Sequence, residues 1–143
     1  MTDPGDGAAR ASPDWALGGA TLARAAYGAA LCCAPGPMLR LEGGPGAGAS
    51  PGARTVARIL GGRQLVQAAL SAMRPTPAVL AFGAGTDVLH SASMLALAAL
   101  DRPRRRLGLS DSLVAAAFAA GGCALARRLP LARVSGCPEA GSR

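Results

Sequence analysis

Four long apolar stretches, each close to the length that carries a helix across a bilayer, constrain this chain more than any other feature. Trp15 to Ala34 is a run of 20 residues broken only by Thr21 and Arg24. Arg54 to Met73 and Ala78 to Leu100 follow, and Leu113 to Ala126 lies in a shorter fourth stretch. Only Trp15, Tyr27, Phe82 and Phe118 are aromatic in 143 residues. A water-soluble core of this size normally draws much of its buried area from aromatic rings. Here the packing material is Ala, Leu, Val and Gly. Small residues let helix backbones approach closely, which is how helices associate in lipid. Gly18-Gly19, Gly61-Gly62, Gly83 with Gly85, and Gly121-Gly122 place glycine in every stretch. In a soluble helix each costs about 1 kcal/mol relative to Ala.

The expected fold is therefore all-α: a four-helix transmembrane bundle with spans near 15–34, 54–73, 78–100 and 110–128. A polar, Gly-rich N-terminal tail over 1–13 and a Pro-containing tail over 129–143 are expected to be disordered. The domain thus runs from about 14 to 128. The segment 34–52 is dense in Pro and Gly and is expected to form a flexible first loop, with no helix. Arg74-Pro75-Thr76-Pro77 is a tight connection that makes the second and third spans antiparallel neighbours. Ser110-Asp111 has the form of a helix start, with Ser110 as cap. The acidic n-region and the interruption at Arg24 argue against a cleaved signal peptide.

The formal charge is +7, and every basic residue is Arg. Arg102, Arg104, Arg105 and Arg106 form the densest cluster, broken by Pro103. Without an aromatic platform or zinc spacing nearby, nucleic acid is not the expected partner. A topogenic loop is, and the cluster is placed on the cytoplasmic side with both termini opposite. Counting that cluster, the loop and tail arginines divide six against six between the two faces. The cysteines Cys32, Cys33, Cys123 and Cys137 form no CxxC pair, and the chain has one His. No structural metal site and no cofactor are expected. Walker, GxSxG, HExxH and dinucleotide motifs are missing, as are carboxylates at catalytic spacing, so no catalytic residue is assigned.

The polar residues inside the spans are the candidate site. At 100° per residue, Arg63, Gln67, Ser71 and Arg74 share one face of the second span, with Gln64 at its edge. Asp87, His90 and Ser91 share a face of the third with Gly83. Folding the chain at the turn puts Arg63, 12 residues before Pro75, level with Asp87, 12 after it. A lone charge at mid-bilayer costs about 2.5–3.5 kcal/mol on insertion scales, and an opposite charge removes much of that. An Arg63–Asp87 pair extended by Gln67 and His90 is expected. It is either a clasp that fixes helix register or a polar pathway, with Asp87 and His90 carrying protons and Arg63 holding an anion. Arg24, mid-span in the first helix, must share Asp87, meet an acid from a partner or line a wet cavity. Arg58 can snorkel to the surface.

Arg58-Ile-Leu-Gly-Gly-Arg-Gln64, Asp87-Val-Leu-His90 and the run from Ser93 to Asp101 before the arginines resemble a loosely defined group of small, uncharacterised multi-span membrane proteins of GC-rich bacteria. The likeness covers residues 58–106, about a third of the chain, and implies topology without chemistry.

The leading expectation is a multi-pass inner-membrane protein acting by interaction, as an accessory or assembly component. Its partners would be the bilayer, another membrane protein or a second copy, and anionic lipid. A small transporter using the Arg/Asp/His cluster is the alternative, followed by a soluble Ala-rich bundle.

Overall fold

A computed structural model describes residues 12–48 and 50–129, and it is all-helical, with no strand among the described residues. Five α-helices follow one another: α1 (Ser12–Cys33), α2 (Pro35–Gly43), α3 (Pro51–Met73), α4 (Pro77–Leu100) and α5 (Arg105–Arg128). A 3₁₀ turn over Arg102–Arg104 joins α4 to α5. Of these, α4 and α5 (taken with the 3₁₀ turn) are long and apolar enough to cross a membrane. The tails expected at 1–13 and 129–143 fall outside the described residues, apart from Ser12 and Pro13 in α1 and Leu129.

Two expectations about local structure are corrected. The Gly/Pro-rich segment is not all loop, because Pro35–Gly43 is helical. Its prolines occupy the first turn, where no intrahelical partner exists for a backbone N–H and the fixed φ suits a helix. The helix ends at Gly44, whose φ of 96° only glycine adopts without strain. Ser110 is not a cap, because α5 already starts at Arg105. Pro103 is confined to the 3₁₀ turn, and Arg105 and Arg106 are good helix formers that open α5 directly. Prolines sit in the first turns of α3 and α4 as well, and Thr76 caps α4 by accepting from the Val79 N–H at 3.2 Å.

The pairing of helices also differs from the sequence expectation. The intimate pairs are α1 with α3 and α4 with α5, while α3 and α4 touch little beyond their connection. Glycine decides this. A Cβ on Gly28 would lie 2.8 Å from the Gly61 carbonyl oxygen, and one on Gly61 would lie 2.6 Å from that of Gly28. In α5, a Cβ on Gly108 would meet the Met94 carbonyl at 2.7 Å and the Ala98 Cβ at 2.9 Å. Gly122 faces Ala84 in the same way at 3.2 Å. Backbones thus cross in direct contact at these points, as small residues permit. The tight turn fixes sequence order, but it does not supply a seam.

The interior is small and polar. Ala57, Ala68, Ala84, Ala98, Ala115 and Ala119 are buried, along with Leu31, Leu39 and Leu80. Buried beside them are Arg24, Gln64, Asp87, Ser91, Asp111 and Ser112. The outward faces hold the bulk of the large apolar side chains, among them Leu22, Val56, Ile59, Phe82, Leu89 and Leu113.

Replacing Gly61 by Leu is expected to force α1 and α3 apart and to cost about 1–3 kcal/mol, the usual range for overpacking. Gly62→Leu, one residue on, meets open space and should be neutral. Thermal unfolding of the two variants in the same detergent separates them. Equal melting temperatures would contradict the crossing.

Candidate functional site

Asp87 lies midway along α4 and is fully enclosed. Its Oδ2 accepts from Arg24 Nη2 of α1 at 2.6 Å, and its Oδ1 accepts from Arg63 Nη2 of α3 at 2.6 Å. One carboxylate therefore ties the α1/α3 pair to the α4/α5 pair. The Arg63–Asp87 pair expected from folding the chain at Pro75 is present. Of the three settings weighed for Arg24, the structure shows it sharing Asp87. Arg24 is the more deeply held guanidinium, with its side chain 10% exposed against 28% for Arg63. Arg24 Nη1 also donates to Gln64 Oε1 at 2.7 Å and to Gln67 Oε1. Gln67 Nε2 in turn donates to Thr86 Oγ1 at 2.8 Å, a second bridge from α3 to α4. The Arg24 guanidinium lies over the Phe118 ring of α5, 4.5 Å from its centre, a cation–π geometry. Among the described residues no buried side-chain nitrogen or oxygen lacks a hydrogen-bond partner.

A half-satisfied buried charge is expensive, whereas a carboxylate with a charged donor on each oxygen holds its neighbours in one arrangement. Two guanidiniums on one carboxylate meet that condition for Asp87 and leave the cluster with one positive charge in excess.

His90 does not extend this cluster as expected. It turns to α5, where its Nε2 lies 2.8 Å from Asp111 Oδ2. Asp111 then leads to Tyr27 of α1, whose hydroxyl is 3.4 Å from Oδ1 and donates to Glu42 Oε1 of α2 at 2.8 Å. His90, Asp111, Tyr27 and Glu42 thus form a second polar chain across four helices. Burial pushes the Glu42 carboxyl above the usual carboxylate range; the bond from Tyr27 opposes this and the nearby Asp111 charge adds to it. Ser91 bonds the Ser112 carbonyl and hydroxyl, both at 3.0 Å, and closes the α4/α5 seam.

Sequence reasoning missed Tyr27, Glu42 and Asp111 as a group. Asp111 has the local form of a helix start, and Glu42 lies in a segment whose Pro and Gly content suggests a loop. Gln64, placed at the edge of a polar stripe, is one of the most buried side chains. Arg74 is exposed. Arg58 is exposed too, and its Nε donates at 3.4 Å to the Cys32 carbonyl at the end of α1, where a cation suits the helix dipole. Arg102, Arg104, Arg105 and Arg106 are all exposed at the α4–α5 connection, with Arg104 paired to Asp101 at 3.0 Å.

Two cavities flank the Asp87 clasp. One, of about 800 Å³, lies toward the α3–α4 turn and is lined by Arg24, Arg63, Gln67 and apolar walls. The other, of about 890 Å³, lies toward α2 and includes Glu42, Arg63, His90 and Asp111. Among the described residues no group of His, Cys, Asp and Glu is arranged to hold a metal ion. No protein-family model, no curated protein and no solved structure matches the chain.

Asp87→Ala is expected to strand the buried Arg24 and the half-buried Arg63 and to lower stability by about 3–5 kcal/mol. Arg63→Ala should cost less, because its side chain is partly wet and Arg24 still holds Asp87. Denaturant titration followed by circular dichroism ranks the two. An unchanged midpoint for Asp87→Ala would remove the clasp from the account.

Proposed function

We propose that this chain is a four-span helical protein of the bacterial inner membrane, working by interaction as an accessory or assembly component. In this reading α1, α3, α4 and α5 cross the bilayer and α2 packs at one end. The observation that carries it is an inverted distribution of polarity. The residue at 0% exposure is an aspartate, while Leu22, Ile59, Phe82 and Leu89 are each about 70% exposed. Single exposed leucines are ordinary in soluble proteins, but large apolar side chains exposed on all four long helices around a polar interior weigh toward lipid. Lipid accepts such faces, and Arg24 of α1 and Arg63 of α3 are met by Asp87 inside the bundle instead of in the bilayer. The exposed Arg102–Arg106 connection suits the cytoplasmic side, and anionic headgroups would meet it there.

A clasp role for Asp87 fits this reading better than proton carriage, since both its oxygens are occupied by guanidiniums and it is closed to water. A proton-linked transport role remains the second reading, and one observation favours it. The His90–Asp111–Tyr27–Glu42 chain borders a cavity and contains titratable groups in hydrogen-bonding sequence. Its carrier would be His90, not Asp87.

Carbonate extraction of membranes from cells expressing the tagged full chain tests the membrane assignment. Retention in the pellet is the expected result, and release into the supernatant would overturn it. A co-purifying protein partner in mild detergent is expected of an accessory component. Proton flux into vesicles holding the pure protein, abolished by His90→Ala, would favour the transport reading.

A further inference from the structure

The cavity beside the α3–α4 turn has an asymmetric chemistry. Its walls are apolar, with Leu17, Val66, Leu70, Val79, Phe82 and Leu125 contributing. Its polar end is cationic: Arg24 and Arg63 line it, and no acidic side chain does. Asp87 neutralises one of these guanidiniums, so one positive charge is left over. Among the described residues Arg63 makes one side-chain hydrogen bond, through a single nitrogen, out of the five N–H groups a guanidinium offers. Arg63 lines both cavities.

The cavity is also accessible from the side. Val66 and Leu70 of α3 and Phe82 of α4 line it and are themselves exposed. Because α3 and α4 touch little beyond the turn, these residues border a gap between the two helices. A volume of about 800 Å³ falls in the range of sites that enclose a single small ligand.

From these features we infer that the cavity is a binding site for a single-chain amphiphilic anion, a long-chain carboxylate. The carboxylate accepts from the free N–H groups of Arg63 and balances the surplus charge, and the chain lies along Val66, Leu70 and Phe82 through the α3–α4 gap. Charge complementarity selects this occupant over a neutral chain. Two guanidiniums share one carboxylate, the surplus charge at this depth is costly, and a second carboxylate is a partner whose geometry a guanidinium matches bidentately. The inference rests on the membrane reading, because the tail enters from lipid, but it makes a separate demand on the molecule.

Native mass spectrometry of the full chain, released from a non-ionic detergent, tests it with palmitate and with methyl palmitate as probes. The two share a tail and differ in charge. Palmitate is expected to be retained one per chain, and methyl palmitate at least tenfold less, the loss set by one charge-assisted hydrogen bond. Arg63→Gln should weaken palmitate retention by a similar factor. Arg63 also belongs to the clasp, so a second variant separates binding from folding. A Cβ on Gly121 meets nothing within 4 Å, and Gly121 lines the cavity. Gly121→Phe should therefore place a ring in the cavity, leave helicity and melting intact, and weaken retention. Equal retention of the two probes, or undiminished palmitate binding in Gly121→Phe, would overturn the site. Either result in protein that stays with carbonate-washed membranes would leave the membrane reading standing, whereas release by carbonate removes that reading on its own.

Discussion

Everything in this molecule turns on a single carboxylate held between two guanidiniums. Asp87 accepts from Arg24 and from Arg63, and through them α4 is tied to both α1 and α3. The glycine crossings make two tight helix pairs, α1/α3 and α4/α5, and neither crossing joins one pair to the other. Polar groups share that work with the packing of Leu107 of α5 against Leu31, Leu39 and Ala57: the Asp87 clasp, the Gln67–Thr86 bond and the Tyr27 hydroxyl between Glu42 and Asp111. Apolar contacts are a weak source of specificity here, because most buried apolar residues are alanine. A directional, desolvated ion pair supplies the register that alanine cannot.

The same arrangement explains the coexistence of tight pairs and open cavities. Where two helices meet through glycine, their backbones touch. Where the pairs meet through long arginine and glutamine side chains, they are held apart at the distance those side chains span. Space is left above and below the clasp, and it is lined by the apolar flanks of the same helices. Arg63 sits between the two spaces and borders both. A cluster that fixes the bundle is thereby also the polar feature a ligand would meet. Structural and binding roles need not compete at Arg63, since its contact with Asp87 uses one of its nitrogens.

Much of this was legible in the residues. Helix positions followed from run length and from the prolines at 75 and 77, which end one helix and begin the next. The Arg63–Asp87 pair followed from counting outward from Pro75, since a tight turn forces equal rise on both sides. Three features resisted. Pro35 and Pro37 were read as breakers, when in a first turn they are starters, and this hid α2 and Glu42. Ser110-Asp111 has the local form of a cap, yet three arginines upstream can open a helix equally well, and so Asp111 was not seen as an interior acid. The partnering of helices was misjudged because adjacency along the chain says nothing of which glycines find a carbonyl opposite. Gly28 and Gly61 are 33 residues apart, and no local pattern links them.

The central claim is that the outer apolar faces lie in lipid while the charges are held inside. It is tested most directly by a nitroxide on Leu89→Cys, in a background free of other cysteines, reconstituted in vesicles. Leu89 is 70% exposed and lies two residues from the fully enclosed Asp87. The account predicts that molecular oxygen, which concentrates in hydrocarbon, relaxes this label strongly and that a water-soluble nickel complex does not. Strong relaxation by the nickel complex and weak relaxation by oxygen would place this face in water and contradict the account.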